Sequence, residues 1–197
     1  MKISKLEKIL VNKIAKRNIK VAERLFSQID LSNVKKVLEV GCGIGVVTSY
    51  LAKEYKWNVT GIDLDPEQIE RAKNDNIENE YFKFFEADVT KLPFVDSEFD
   101  MALSFDVLHH IPNWDNALNE ISRVLKPMGF YVFSDLALPR FTARIFKNWG
   151  VFAMKDIINH FKSNNLETVY EEKTKINIFG LTGHFSIVSQ KSPTNYR

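Results

Sequence analysis

Residues 37–45 read VLEVGCGIG, in which three glycines, Gly41, Gly43 and Gly45, alternate two positions after an acid, Glu39. A glycine lets a ligand approach the backbone closely. A helix that opens behind such a loop offers free N–H groups and a positive dipole end. That combination is the chemistry of a nucleotide-type site. A bare strand-to-helix turn is the plain alternative, but three alternating glycines cost more chain entropy than one turn requires. A nicotinamide fingerprint needs G-x-G-x-x-G, and the sixth position counted from Gly41 is Val46. A carboxylate at Glu39 repels a pyrophosphate and suits a ligand carrying an ammonium or sulfonium charge.

Further acids stand where such a ligand would need them. Asp63 lies about 20 residues beyond the glycines and could accept both hydroxyls of a ribose. Capping a helix is the other use for an acid here, but Asp65 already fills that role. Leu64 could pack on a base face. Asp88 could accept from an exocyclic amine, with the Val89 N–H answering a ring nitrogen; its alternative is a turn or cap before Thr90.

The elements that must position these residues follow from periodicity. Strands are expected at about 36–40, 58–63, 81–87, 99–105, 130–136, 166–174 and 183–190. Helical patterns cover 3–29, 44–55 and 114–125, and 139–164 reads as two short helices broken near Gly150. Asp65, with Pro66 at the first helical position, marks another helix start, and Gln68 stands where a capping box would place it. Pro127-Met128-Gly129 turns into the fifth strand. This alternation predicts an α/β class, an open and mostly parallel sheet closed by a hairpin. In such a sheet a ligand lies over the carboxyl ends of the strands, which is where Glu39, Asp63 and Asp88 fall.

The 197 residues suffice for one domain with a full core. No apolar run approaches the roughly 20 residues that span a bilayer, and the N-terminus lacks the apolar block of a signal peptide. One cysteine, Cys42, excludes an internal disulfide framework and fits a reducing cytoplasm. The four histidines, His109, His110, His160 and His184, are not spaced with carboxylates as a zinc site requires, so no metal is expected. Residues 1–36 carry ten Lys or Arg against Glu7, Glu23 and Asp30, a balance of +7 that leaves −5 for the rest of the chain. Such a run suits a solvated helix face or contact with an acidic partner, nucleic acid or a membrane surface.

VLEVGCGIG, GIDLDPEQI, FFEADVTKLPF, FDMALSFDVLHHIPN and ISRVLKPMGF, in that order over about 35–135, resemble the successive motifs of class I S-adenosylmethionine-dependent methyltransferases. The closest likeness is to the small-molecule branch that includes ubiquinone and menaquinone biosynthesis enzymes. The resemblance implies a Rossmann-like seven-stranded sheet, strand seven antiparallel, with helices on both faces. It implies S-adenosyl-L-methionine as cofactor and S-adenosyl-L-homocysteine as product. Glu39 and the Gly41, Cys42 and Gly43 backbone would face the methionine part. Asp63 would take the ribose hydroxyls, Leu64 would lie against the adenine, and Asp88 and Val89 would address its edge. Ser104 and Phe105 would close over the cofactor. One domain is expected over 1–197: a helical lid at 1–32, a cofactor core at 33–136, substrate-side helices at 137–165 and closing strands at 166–190.

Methyl transfer from a sulfonium is an in-line displacement, and a base is needed only if the acceptor must lose a proton. Asp106 and His110 are the candidates; they share a face if Asp106 starts a helical turn. Packing or capping the turn before Pro112 is the other use for both histidines; His109 reads that way, and for His110 the two uses stay open. The acceptor is expected between the first helix and the segment after strand five. There Arg140, Arg144 and Lys147 would suit an anionic acceptor, if they are not one face of a packed helix. A small-molecule acceptor is the first reading. RNA or protein, reached through the basic first helix, and a non-catalytic cofactor-binding module are the alternatives.

Overall fold

The structure, a computed structural model, describes residues 5–76, 80–137, 153–174 and 183–193. Helix α1 (Lys5–Phe26) is followed by β1 (Lys36–Val40), α2 (Val46–Tyr55), β2 (Asn58–Asp63), α3 (Pro66–Asp75) and β3 (Phe82–Glu86). Then come β4 (Phe99–Phe105), α4 (Trp114–Val124), β5 (Leu125–Ala137), α5 (Met154–Ser163), β6 (Leu166–Thr174) and β7 (Gly183–Lys191). The seven strands are ordered β3-β2-β1-β4-β5-β7-β6. The first five run parallel, and β7 is antiparallel to both β5 and β6. The α/β sheet expected from the sequence, with one antiparallel strand and helices on both faces, is the sheet observed.

Burial explains why β1 and β4 read as nearly unbroken apolar runs. Val37, Leu38, Val40, Met101, Ala102 and Leu103 are all buried, because helices cover both faces of the sheet. One core layer packs α1, α2 and α3 on the sheet, and the other packs α4 and α5. Helix α1 is held through Ala22, Leu25 and Phe26, with the Phe26 ring edge-on to Trp57 at 5.6 Å.

Three local expectations change. Helix α2 opens at Val46 rather than 44, because Gly45 sits at φ 76°, outside the helical region. Strand β5 begins at Leu125 and runs through Pro127-Met128-Gly129; Met128 takes φ 64° and the pairing with β4 shifts register between Phe99 and Met101. The prolyl segment is thus a bulge inside the strand rather than a turn before it. The capping box at α3 does not form. Asp65 accepts from the Glu67 N–H at 2.9 Å as a cap should, but its own N–H goes to Asp63 at 3.0 Å, which leaves Gln68 free to line a cavity. Helix α5 confirms part of the helical pattern at 139–164; Arg140, Arg144, Lys147 and the break at Gly150 lie outside the described residues.

Candidate active site

The strand order reverses between β1 and β4, and two adjoining cavities open there over the strands' carboxyl ends. The smaller, about 460 Å³, reaches from Gly41 across Asp63 and Leu64 to Asp88 and Val89. The larger, about 1040 Å³, runs from Glu39, Cys42 and Gly43 to the inner side of α1. Gly41, Asp63, Phe105, Asp106 and His110 line both.

The glycine loop is built by different forces at each glycine. All three have positive φ, at 70°, 52° and 76° for Gly41, Gly43 and Gly45. A Cβ on Gly41 would stand 2.3 Å from Val107 Cγ2, and one on Gly45 would stand 2.4 Å from the Phe84 ring. Those two positions are closed by packing. Gly43 is open: the nearest atom to its would-be Cβ is Gln68 Oε1 at 3.9 Å. Its N–H donates to Asp63 Oδ2 at 2.9 Å, so β2 and the glycine loop are tied together at the cavity wall.

Glu39 is buried at the end of β1 and accepts from the Thr48 hydroxyl. Burial pushes its carboxyl up to about 8, with the Thr48 bond working against the shift and the Asp63 charge adding to it. A cation delivered to the larger cavity would draw that proton off. Cys42 is buried beside it, and burial, with the Glu39 and Asp63 charges, pushes its thiol up, so it packs as a thiol rather than a thiolate. Asp88 caps a short 3-10 turn over Val89–Lys91, its Oδ1 accepting from the Thr90 N–H and hydroxyl, each at 2.8 Å. Capping and cavity lining thus coexist at Asp88. Phe105 lines both cavities, whereas the Ser104 side chain lines neither; its hydroxyl is buried 2.6 Å from Tyr131 Oη.

The segment after β4 departs from the expected helical turn. Asp106 takes φ 58° while its N–H donates to Ser134 O at 2.9 Å, and a 3-10 turn follows only at Leu108–His110. The Asp106 carboxylate turns instead to Arg17 of α1 and to His184 Nε2 of β7, the latter at 2.8 Å. Burial raises its proton affinity, but the His184 bond and the Arg17 charge outweigh this, so the carboxyl titrates below its ordinary value. His110 lines both cavities. Burial and the neighbouring His109 lower its proton affinity.

Sequence reasoning missed Asp135, at the end of β5. It is fully buried and accepts from the Val107 and Leu108 N–H groups at 3.2 and 2.8 Å and contacts His109 Nδ1 at 2.5 Å. Burial opposes the charge on His109, but the Asp135 bond and charge prevail, so its imidazole titrates above its ordinary value. Asp135 is a lone acid in an apolar run, and a strand that buries such a group must supply partners for it. Arg17, Thr48 and His184 carried no signal, since each is one residue of a periodic face. Among the described residues no group of three or more His, Cys, Asp or Glu could hold a metal ion, and no helix is long and apolar enough to cross a membrane.

Residues 38–133 match the family model of the methyltransferase domain. A fatty-acid O-methyltransferase from Mycolicibacterium smegmatis is 39% identical over 109 residues, covering 54% of this chain and 39% of that protein. A 2-methyl-6-phytyl-1,4-hydroquinone methyltransferase from Synechocystis is 40% identical over 99 residues, covering 50% of this chain and 31% of that protein. The chain therefore spans well under half the length of these relatives. An S-adenosylmethionine-dependent methyltransferase from Methanosarcina mazei shares the fold, with a TM-score of 0.72 at 21% identity over 86% of this chain and 97% of that one.

Proposed function

We propose, from the premise that residues 38–133 are an S-adenosylmethionine-dependent methyltransferase domain, that this protein methylates a small-molecule acceptor. The carrying observation is the pair of joined cavities, with Asp63 and Gly41 shared between a nucleoside-sized space and a larger one walled by α1. The residues present fit the cofactor. Asp63 would accept from the ribose hydroxyls, Gly43 leaves open space where a Cβ would stand, and Glu39 would set a buried acid beside the ammonium group. Leu64, Asp88 and Val89 would hold the base, Cys42 would contribute backbone and packing, and Phe105 would separate the cofactor from the sheet. Ser104 would act through its backbone alone.

The cofactor supplies an electrophilic methyl group on a sulfonium, and the transfer is an in-line displacement. The chain's own task is to align the acceptor and to exclude water. Helix α1 walls the larger cavity with Val11, Ile14 and Ala15, an apolar surface suited to an acceptor with hydrocarbon character. Both relatives named above carry acceptors of that kind in their names, which supports the small-molecule reading.

The basic side of α1 favours a second reading. Lys13, Lys16, Lys20 and Arg24 border one shallow groove, which would suit an RNA backbone. The test for both is transfer of labelled methyl from S-adenosylmethionine to fatty acids, hydroquinones, total RNA and protein. Label in an organic-extractable small molecule is the expected result. Label in RNA or protein alone would replace the small-molecule reading. Cofactor binding without transfer to any of them would favour a non-catalytic module.

A further inference from the structure

We infer that α1 seats this protein on an anionic lipid surface, with Lys13, Lys16 and Lys20 facing the headgroups and Leu10 and Ile14 entering among them. The docking stands on the outer face of α1. It rests on the small-molecule reading only for what then passes into the cavity. Residues 8–22 contain five Lys or Arg and no acid. The two arginines of the helix are already spent within the chain. Arg17 pairs with Asp106, and Arg24 Nε stands 3.0 Å from both carboxylate oxygens of Glu172. Glu23, the one acid among the described side chains of α1, accepts from the Tyr50 hydroxyl. Lys13, Lys16 and Lys20 are exposed and, among the described residues, in no ion pair. They recur at three- and four-residue steps, so they share one side of the helix over about 10 Å and border one shallow groove.

Charge alone would suit RNA as well as lipid; the neighbours of the lysines decide. Leu10 is 51% exposed and Ile14 48%, one turn apart at the edge of the lysine face. Single exposed aliphatics are ordinary on a protein surface. An adjoining pair beside unpaired lysines is the pattern of a helix that lies in a membrane interface. Lysine stems lie along the lipid while their ammonium groups stay at the phosphates. An RNA surface would instead call for aromatic side chains on which bases stack. The single aromatic of α1 is Phe26, and it is buried.

Ile14 also lines the larger cavity, beside Val11 and Ala15. It is half exposed as well, so the cavity opens at this edge of the helix. The edge that enters the headgroups is therefore a wall of the acceptor space. Docking brings the cavity mouth to the boundary between headgroups and acyl chains. A hydrocarbon acceptor then reaches the site without exposing its apolar surface to water.

The test is co-sedimentation of the full chain with vesicles, in the absence of cofactor and acceptor. Phosphatidylcholine vesicles are compared with vesicles that also hold about 30% phosphatidylglycerol, at about 0.1 M salt. The protein should pellet with the anionic vesicles and stay in solution with the neutral ones. K13Q/K16Q/K20Q should weaken binding by about a hundredfold, each lysine near such a surface contributing about fivefold. L10Q should weaken it by about threefold or more, as an inserted side chain is lost. Both variants should keep the wild-type thermal transition, since the substituted side chains are exposed. Failure to pellet with anionic vesicles would overturn the inference. So would wild-type binding by the triple variant or by L10Q. A mixed-sequence RNA of about 20 nucleotides is titrated in parallel. Binding to RNA but not to the vesicles would assign the same lysines to nucleic acid instead. The vesicle result is independent of methyl transfer, so either reading fails without the other.

Discussion

Asp63 Oδ2 accepts the Gly43 N–H at 2.9 Å, across the gap between the end of β2 and a loop 20 residues earlier in the chain. Its other oxygen accepts the Asp65 N–H at 3.0 Å. One carboxylate thus shapes the glycine loop, starts the turn into α3 and lines both cavities. Asp63→Ala should weaken S-adenosylhomocysteine binding by more than about tenfold, because a charge-assisted contact is lost along with the loop's anchor. Asp63→Asn, which keeps an acceptor oxygen, should lose less. Calorimetry on the two variants checks the order; equal affinity in Asp63→Ala and wild type would remove Asp63 from the site.

Gly41 and Val107 make a steric pair between the loops after β1 and β4. Gly41→Ala meets the left-handed backbone, which costs a non-glycine residue about 1–2 kcal/mol, and also the Val107 methyl. Thermal unfolding should shift down by at least about 3 °C. Adding Val107→Ala should recover part of the loss but not all, since the backbone strain remains. Full recovery would mean that the contact alone, and not the conformation, requires glycine.

How far the sequence could be read follows from the kind of interaction at each residue. The strands were legible because burial on both faces writes apolar runs, and Glu39, Asp63 and Asp88 stood out as acids where those runs end. The α3 cap at Asp65 was legible because it is local. A ligand contact and a cap were posed as alternatives for Asp88; Oδ1 alone makes the cap, and the residue also lines the smaller cavity. The Asp106–His110 relationship was misjudged, because the path of the chain after β4 is set by Ser134, Asp135 and His184 on β5 and β7. Those partners lie 27 to 78 positions further on, and no periodicity reports them. His109 read as a packing residue for the same reason: its carboxylate is on another strand.

Glu39 ties cofactor binding to protons. Its folded value of about 8 lies above the ordinary 4.5, so the free protein holds the proton at neutral pH. An ammonium group placed beside it favours the carboxylate, and binding at about pH 7 should release up to one proton. Affinity for S-adenosylhomocysteine should therefore rise with pH up to about 8 and then level. Calorimetry in two buffers of different ionisation enthalpy reads the release directly; Glu39→Gln should abolish it. The same shift acts on folding with the opposite slope. A raised carboxyl contributes most below about 4.5 and loses that contribution as pH climbs toward 8, so Glu39→Gln should flatten the stability profile of the free protein over that range.

The central claim is that the glycine loop, Glu39 and Asp63 form a sulfonium-nucleoside site. Its most direct test is one calorimetric comparison of S-adenosylhomocysteine with a nicotinamide dinucleotide on the same preparation. The account predicts saturable binding of S-adenosylhomocysteine at one site per chain, with no heat from the dinucleotide. Binding of the dinucleotide, or of neither, would contradict it.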